Sequence, residues 1–380
     1  MGRHTAPRRW RPAGRGLLVG GVAAVAVLTA AVLTVGLPPY GPPVHSTGLP
    51  TAGSPSTAPP RPAPTAAATT TGPADVTVAF AGDVHFAGRV ASRTTAGADV
   101  LGPIRRTLAA ADLAMVNLES AITERGTPEP KQFHFRAPPV VLDSLWKAGI
   151  DVLTMANNHA VDYGPVGLSD TLAALRSHPI RVVGVGADAV QAYAPWYAEV
   201  RGVRVAVLGA SQIHDRTMAA WTAGPNSPGI ASATSDRLLA AVRAARERAQ
   251  IVVVYLHWGT EGQSCPNAEQ RMAAEHLAAA GADAVVGTHA HLLLGGGWLG
   301  SVYVDYGLGN FLWWLDNANS NDTGVLTLTF HGRRVVRSQF TPAEIDGRGV
   351  PVPAHGAQAS RILGKLDTVR GCAGLASRPG

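Results

Sequence analysis

Cysteine is almost missing: Cys265 and Cys372 are the two in 380 residues. That excludes a CxxC motif and any thiolate metal cluster, so a metal must be held by His, Asp, Glu and Asn. The same two residues are free to pair or to stay as thiols, and their spacing decides neither. Acidic residues are absent from the first 74 positions, where Arg3, Arg8, Arg9, Arg11, Arg15 and Arg61 stand unopposed. This one-sided segment accounts for the whole formal charge of +6, because the 26 basic residues beyond it face 26 acidic ones. The body is therefore neutral overall, and no nucleic-acid partner is expected. Internal repeats are lacking too, which leaves one large domain of about 300 residues.

Charge is also absent from Gly16 to Leu37, a run of Val, Ala, Leu and Gly. As a helix it would measure about 33 Å, enough to cross a bilayer. The arginines of segment 1–15 precede it, so the positive-inside rule keeps the N-terminus cytoplasmic. A cleaved signal peptide is the rival, but its apolar region is usually about 7–15 residues. The run is longer than that and lacks an Ala-x-Ala site ahead of the prolines, which favours an uncleaved signal anchor over 16–37. The expected location is the cell membrane, single-pass, with the C-terminal body extracytoplasmic. Residues 38–74 are Pro, Thr, Ala, Ser and Gly and have almost nothing to bury, as expected of a disordered, extended linker.

From Asp75 the chain alternates β-branched runs with Ala/Leu-rich amphipathic segments. Strands are predicted at Val76–Ala81, Leu113–Val116, Val152–Met155, Arg181–Val185, Val203–Leu208, Ile251–Leu256, Ala284–Val286 and Ser301–Tyr306. Most are continuous apolar runs, the pattern of strands buried on both faces. Helices fall between them. One is capped by Ser235, one runs from Asn267 to a left-handed stop at Gly281, and others lie near Leu142–Lys147 and Leu168–Arg176. This rhythm predicts a layered α/β fold over 75–344. Val325–Phe330 and Arg334–Phe340 read as a hairpin around Gly332. Beyond Glu344 the pattern fades, and 345–380 is expected to be a loosely packed tail.

Ligand-type side chains collect behind the strands. Asp83 and His85 follow the first, in Ala-Gly-Asp-Val-His, and Asn117 and Glu119 follow the second, in Val-Asn-Leu-Glu-Ser. Asn157, Asn158 and His159 follow the third. His257 ends Val-Val-Val-Tyr-Leu-His, and His289 and His291 follow the next strand, in Val-Gly-Thr-His-Ala-His. Each motif alone has a bland reading as a turn, a cap or a hydrogen-bonded core histidine. Together, at five strand ends, they point to a site at the carboxyl edge of a sheet. Imidazole, carboxylate and carboxamide donors suit Mn, Fe or Zn. Two such ions about 3.5–4 Å apart clamp a displacement at phosphorus.

The order Asp-x-His, acidic residue, Asn-His, His, His-x-His resembles the calcineurin-like metallophosphoesterase superfamily. Asn-Leu-Glu-Ser, Ala-Asn-Asn-His-Ala-Val-Asp-Tyr-Gly, His-Trp-Gly-Thr-Glu and Leu-Gly-Asn-Phe resemble its CapA branch, which acts in poly-γ-glutamate capsule synthesis. The resemblance spans roughly Val76 to Pro342 and implies a layered metallophosphoesterase-like β-sandwich flanked by helices. It implies two divalent ions, one on Asp83, His85, Glu119 and His291, the other on Glu119, Asn158, His257 and His289. It also implies attack of an activated water on phosphorus, with His159 as general acid oriented by Asp162. A turn-stabilising role for Asp162 stays open beside that one. Arg136, Glu261 and Asn310 match CapA motifs at the rim and are candidate substrate contacts. The implied partners are the membrane and a polyglutamate synthase complex or its anionic polymer. Two alternatives remain: a cell-envelope phosphatase or phosphodiesterase unrelated to capsule, and a non-catalytic polymer-binding or scaffold domain.

Overall fold

The computed structural model describes residues 74–95 and 97–380. The expected cytoplasmic segment, apolar run and nearly all of the linker lie outside the described residues. Among those described, no helix is long and apolar enough to cross a membrane.

The body is a sandwich of two mixed sheets. Its strands in chain order begin with β1 (Val76–Val84), β2 (Leu113–Leu118), β3 (Val152–Thr154) and β4 (Arg181–Val183). Next come β5 (Trp196–Val200), β6 (Val203–Ser211), β7 (Ile251–Trp258) and β8 (Ala284–His289). Then follow β9 (Gly296–Leu299), β10 (Val302–Asp305) and β11 (Asn310–Leu312). The last are β12 (Asp322–His331), β13 (Arg334–Ile345) and β14 (Pro351–Pro353). One sheet runs β14-β13-β12-β1-β2-β3-β4, with β11 beside the end of β1; the other runs β9-β10-β8-β7-β6-β5. Strands β1 to β4 are mutually parallel, as are β6, β7, β8 and β10. Both parallel sets therefore deliver their carboxyl ends in ordered rows.

Continuous apolar runs put side chains on both faces of each strand. The inner faces share one core, in which Val78 and Phe80 of β1 meet Val253 and Tyr255 of β7. The Tyr255 hydroxyl crosses between sheets to donate to the Ala81 carbonyl at 2.7 Å. Helices cover the outer faces: α1 (Val140–Lys147) and α2 (Gly164–Arg176) on the first sheet, α3 (Asp236–Arg246) and α4 (Ala268–Ala280) on the second. Their ends follow the sequence signals. Ser235 caps α3, Asn267 and Gln270 form a capping box on α4, and Gly281 closes α4 at φ 111°. The predicted hairpin is present as β12 and β13, with Gly332 at positive φ between them.

The expectation of a loose tail is corrected. The last residues form β14 and an 18-residue helix, α5 (Gly356–Ala373), which buries Ile362, Leu366, Val369 and Ala373. Its apolar positions are spread among Gly, Arg and Lys, so the sequence period is weak. Long-range ties supply what periodicity does not. Arg361 and Lys365 both pair with the buried Asp322 of β12, and Cys372 is disulfide-bonded to Cys265.

Candidate metal centre

The ends of β1, β2, β3, β7 and β8 converge at one edge of the sandwich. Gly82 makes the approach possible, since a side chain there would place Cβ 1.9 Å from the Gly309 carbonyl oxygen. Asp83 is thereby seated against the 308–309 turn and donates its own N–H to the Gly309 carbonyl at 2.9 Å. Gly287 plays the same part under β8, where a Cβ would fall 1.9 Å from the Trp258 indole nitrogen. His289 and His291 then leave the strand at φ 95° and 57°. Left-handed backbone at two non-glycine residues costs free energy, and such strain tends to gather at functional sites.

His257 Nε2 is the focus of one donor set. It lies 2.9 Å from Asn158 Oδ1, 3.0 Å from His289 Nδ1 and 3.5 Å from Glu119 Oε1. A single hydrogen on Nε2 can satisfy one of these neighbours and leaves the others facing a lone pair. One cation satisfies all four. Atoms bound to one ion at about 2.1 Å are themselves about 3.0–3.5 Å apart, which is the spacing present. Both Glu119 carboxylate oxygens are buried and lack a hydrogen-bond partner among the described residues. An uncompensated buried carboxylate is costly, so the donor set fits a divalent ion.

Two further donor side chains lie beside this set. His291 Nδ1 is 3.3 Å from Asp83 Oδ2. Glu119, His289 and His291 each bring one donor atom within 4.8 Å of the others. His85 departs from its expected role. It is fully buried in the same region, but its ring nitrogens lie 3.1 Å from the Ala87 N–H and 3.3 Å from the Trp314 N–H. Its ring is stacked on Phe135 at 4.2 Å and edge-on to Trp313 at 4.4 Å. Aromatic rings thus pack on His85, and its one acceptor nitrogen can serve only one of the two N–H groups.

Electrostatics follow burial. The Glu119 carboxyl is held well above its ordinary value by burial first, then by the charges of Asp83, Glu261 and Asp162. Burial lowers His257 strongly and His289 to about 3, and neighbouring histidines add to both effects. Neutral imidazole is the form that binds a metal.

His159 stands at the mouth. Its Nδ1 is 2.7 Å from Asp162 Oδ2, its Nε2 is 3.8 Å from Glu119 Oε1, and the ring lines the cleft. Asp162 also accepts from the Phe135 N–H at 2.6 Å and pairs with Lys131. It therefore orients His159 and secures the local chain together. Burial lowers the His159 pKa, and the Asp162 hydrogen bond works against that shift.

Three residues that the sequence reading left without a role hold the others in place. Asn117 Nδ2 donates to Asp83 Oδ1 at 2.7 Å and lies 3.1 Å from His257 Nδ1. Asn157 Nδ2 donates to Asn117 Oδ1 at 2.9 Å, and Asn157 Oδ1 accepts from the His159 N–H at 3.0 Å. Lys131 bonds both Asp162 and the Asn158 carbonyl. The two asparagines sat inside recognised motifs, so their type and place were a usable signal. Lys131 lies in a Pro-rich loop and gave none. Of the expected rim contacts, Glu261 and Asn310 line a cleft of 340 Å³ beside the cluster. Arg136 does not. Its guanidinium lies 4.6 Å from the Tyr163 ring centroid and donates to the Glu124 carbonyl.

Residues 77–313 match the family model described as bacterial capsule synthesis protein PGA_cap. The chain belongs to the PGA_cap family. Every candidate ligand of the PGA_cap domain lies inside the matched span. The PGA biosynthesis protein CapA of Bacillus subtilis (strain 168) is 29% identical over 77% of this chain and 77% of its own length. The capsule biosynthesis protein CapA of Bacillus anthracis is 31% identical over 63% of this chain and 59% of its own. Among solved structures, a hypothetical protein from Thermus thermophilus aligns with 71% of this chain and 99% of its own at TM-score 0.46 and 18% identity.

Proposed function

We propose that this PGA_cap protein is a membrane-anchored, extracytoplasmic component of poly-γ-glutamate synthesis or export, carrying a two-cation site of hydrolase type. The observation that carries the chemical half is the crowding of Asn158, His289 and Glu119 around His257 Nε2. One ion would be held by Glu119, Asn158, His257 and His289, the other by Asp83, His291 and Glu119. Divalent ions at such a site stabilise charge on a phosphoryl group and ease deprotonation of water.

The chain's own residues do the rest. Asn117 fixes Asp83, and Thr288 Oγ1 lies 3.2 Å from His257 Nδ1 and can accept its hydrogen while Nε2 holds an ion, so the donor atoms are set before any ligand arrives. Asp162 accepts from Nδ1–H of His159 and favours its imidazolium form, in which Nε2–H faces the cleft as the proton donor for a departing alkoxide. Lys131 pairs with Asp162 and offsets part of its repulsion of Glu119.

The biological half is supported by the names of the two relatives and by the sequence of the N-terminal segment. A Cys265–Cys372 disulfide fits an exported body, since disulfides persist in oxidising compartments. The test is hydrolysis of p-nitrophenyl phosphate by the full chain in the presence of Mn, beside a His257→Ala variant. Turnover that the variant lacks supports the reading. No turnover with metal bound at full occupancy sinks its hydrolytic half.

A further inference from the structure

The cleft beside the cluster has a composition that phosphoester chemistry alone does not require. Phe133, Phe135, Trp313 and Trp314 form one wall. Their rings are inclined to each other: Phe133 and Trp314 at 57°, Phe135 and Trp314 at 60°, Phe135 and Trp313 at 72°, with centroids 5.9 to 6.2 Å apart. His85 and His159 cover Phe135 at 4.2 and 4.3 Å and His291 covers Trp313 at 4.5 Å, so Trp314 and Phe133 are the rings left to offer a π face to the cleft. Arg89 fastens this wall from behind, donating to the carbonyls of Trp313 and Leu315 at 3.1 and 2.8 Å.

The remaining lining includes two acceptors that face a cation well, beside the neutral Asn317, Asn319 and Ser320. Glu261 brings a carboxylate to the mouth. Asn310 is fully buried, and its Nδ2 donates to the Ser320 carbonyl at 3.4 Å. That bond leaves Asn310 Oδ1, which has no hydrogen-bond partner among the described residues. No Lys or Arg is among the described residues that line the cleft. An ammonium group is attracted by the π faces, by the carboxylate and by the orphan acceptor. A neutral polyol can use the acceptors but gains little from the ring charge. An anionic group finds no Lys or Arg in this lining, only His159, His291 and the neutral side chains of Asn317, Asn319 and Ser320.

We propose that the cleft takes an ammonium group, primary through quaternary, borne on the non-reacting part of the substrate. The proposal rests on the phosphoesterase reading only for the substrate's other end. His159 and His291 line the same cleft, with ring centroids 4.3 Å from Phe135 and 4.5 Å from Trp313. The substrate class is then an amino-alcohol phosphate ester, free or as a lipid headgroup.

The test is binding to the full chain, read by tryptophan fluorescence and calorimetry. Choline is compared with 3,3-dimethylbutan-1-ol, which has the same shape without the charge. Choline is expected to bind about tenfold tighter, the range of a desolvated cation–π contact. Trp314→Ala and, separately, Glu261→Gln are expected to shrink that preference. Equal affinities, tighter binding of glucose, or full choline affinity in both variants overturns the proposal. Competition by soluble phosphocholine against phosphatidylcholine vesicles tells the free ester from the headgroup. Aryl phosphate turnover on the same preparation separates the two claims. Choline preference without turnover retires the phosphoesterase reading alone, and turnover without the preference retires this proposal alone.

Discussion

His257 and His289 point ring nitrogens at each other, Nε2 to Nδ1, across 3.0 Å of buried space. Burial holds both rings in the neutral state. Two neutral imidazoles with Asn158 and Glu119 crowded on the same nitrogen are poorly served by one hydrogen. Chelation is therefore expected to destabilise the fold as well as silence the site. Ligand-linked stabilisation is about 2.7 kcal/mol at a hundredfold excess over Kd. Thermal unfolding with and without Mn checks this: wild type should gain several degrees, and His257→Ala should gain little.

His159 touches the cleft without joining the donor set at His257. His159→Ala should keep its metal and lose about 10²- to 10⁴-fold in kcat on a poor leaving group such as an alkyl phosphate. On p-nitrophenyl phosphate, whose leaving group needs no proton, the loss should be much smaller. Equal losses on the two substrates would contradict the proton-donor role. Asp162→Asn should follow the same pattern.

The Cys265–Cys372 bond closes a loop with a sequence separation of 107 and ties α5 to the β7–α4 connection. Cross-linking so long a loop limits the unfolded chain by about 2–5 kcal/mol. Denaturant unfolding of Cys372→Ser, or of reduced protein, should show a loss in that range. The Glu261 segment, on the same connection, should become more open to proteolysis.

Asp305 ends β10 with its carboxyl buried, and burial pushes that group up to about 7. The Gly307 N–H and Arg370 offset part of that shift. An acid whose pKa is raised on folding favours the native state fully at pH below the unfolded value, near 3.9, and loses that contribution as pH rises through 7. The loss is at most about 4 kcal/mol across this window. Urea midpoints from pH 4 to 8 should show this falling limb, and Asp305→Asn should flatten it.

Much of this was legible in the sequence because the chemistry sits at strand ends. Apolar runs located β1, β2, β3, β7 and β8, and the polar residues just after them had nowhere else to converge. The structure brings Glu119, Asn158, His257, His289 and His291 together at those ends. His85 was misplaced because a motif gives a residue type but not a rotamer, and Phe135 and Trp313 claim its ring. Arg136 was misplaced because Tyr163 offered it a face. Helix α5 was missed because its order comes from Asp322 and Cys265, partners 39 and 107 residues away. The aromatic wall was missed for a similar reason. Phe133 and Trp314 are far apart in the chain and meet only in three dimensions.

Crystals of the protein grown with Mn and measured at the manganese edge test the central claim most directly. The account predicts two anomalous peaks about 3.5–4 Å apart, one in contact with His257, His289, Asn158 and Glu119, the other with Asp83 and His291. A featureless map, with His257 simply hydrogen-bonded to Asn158, would contradict it.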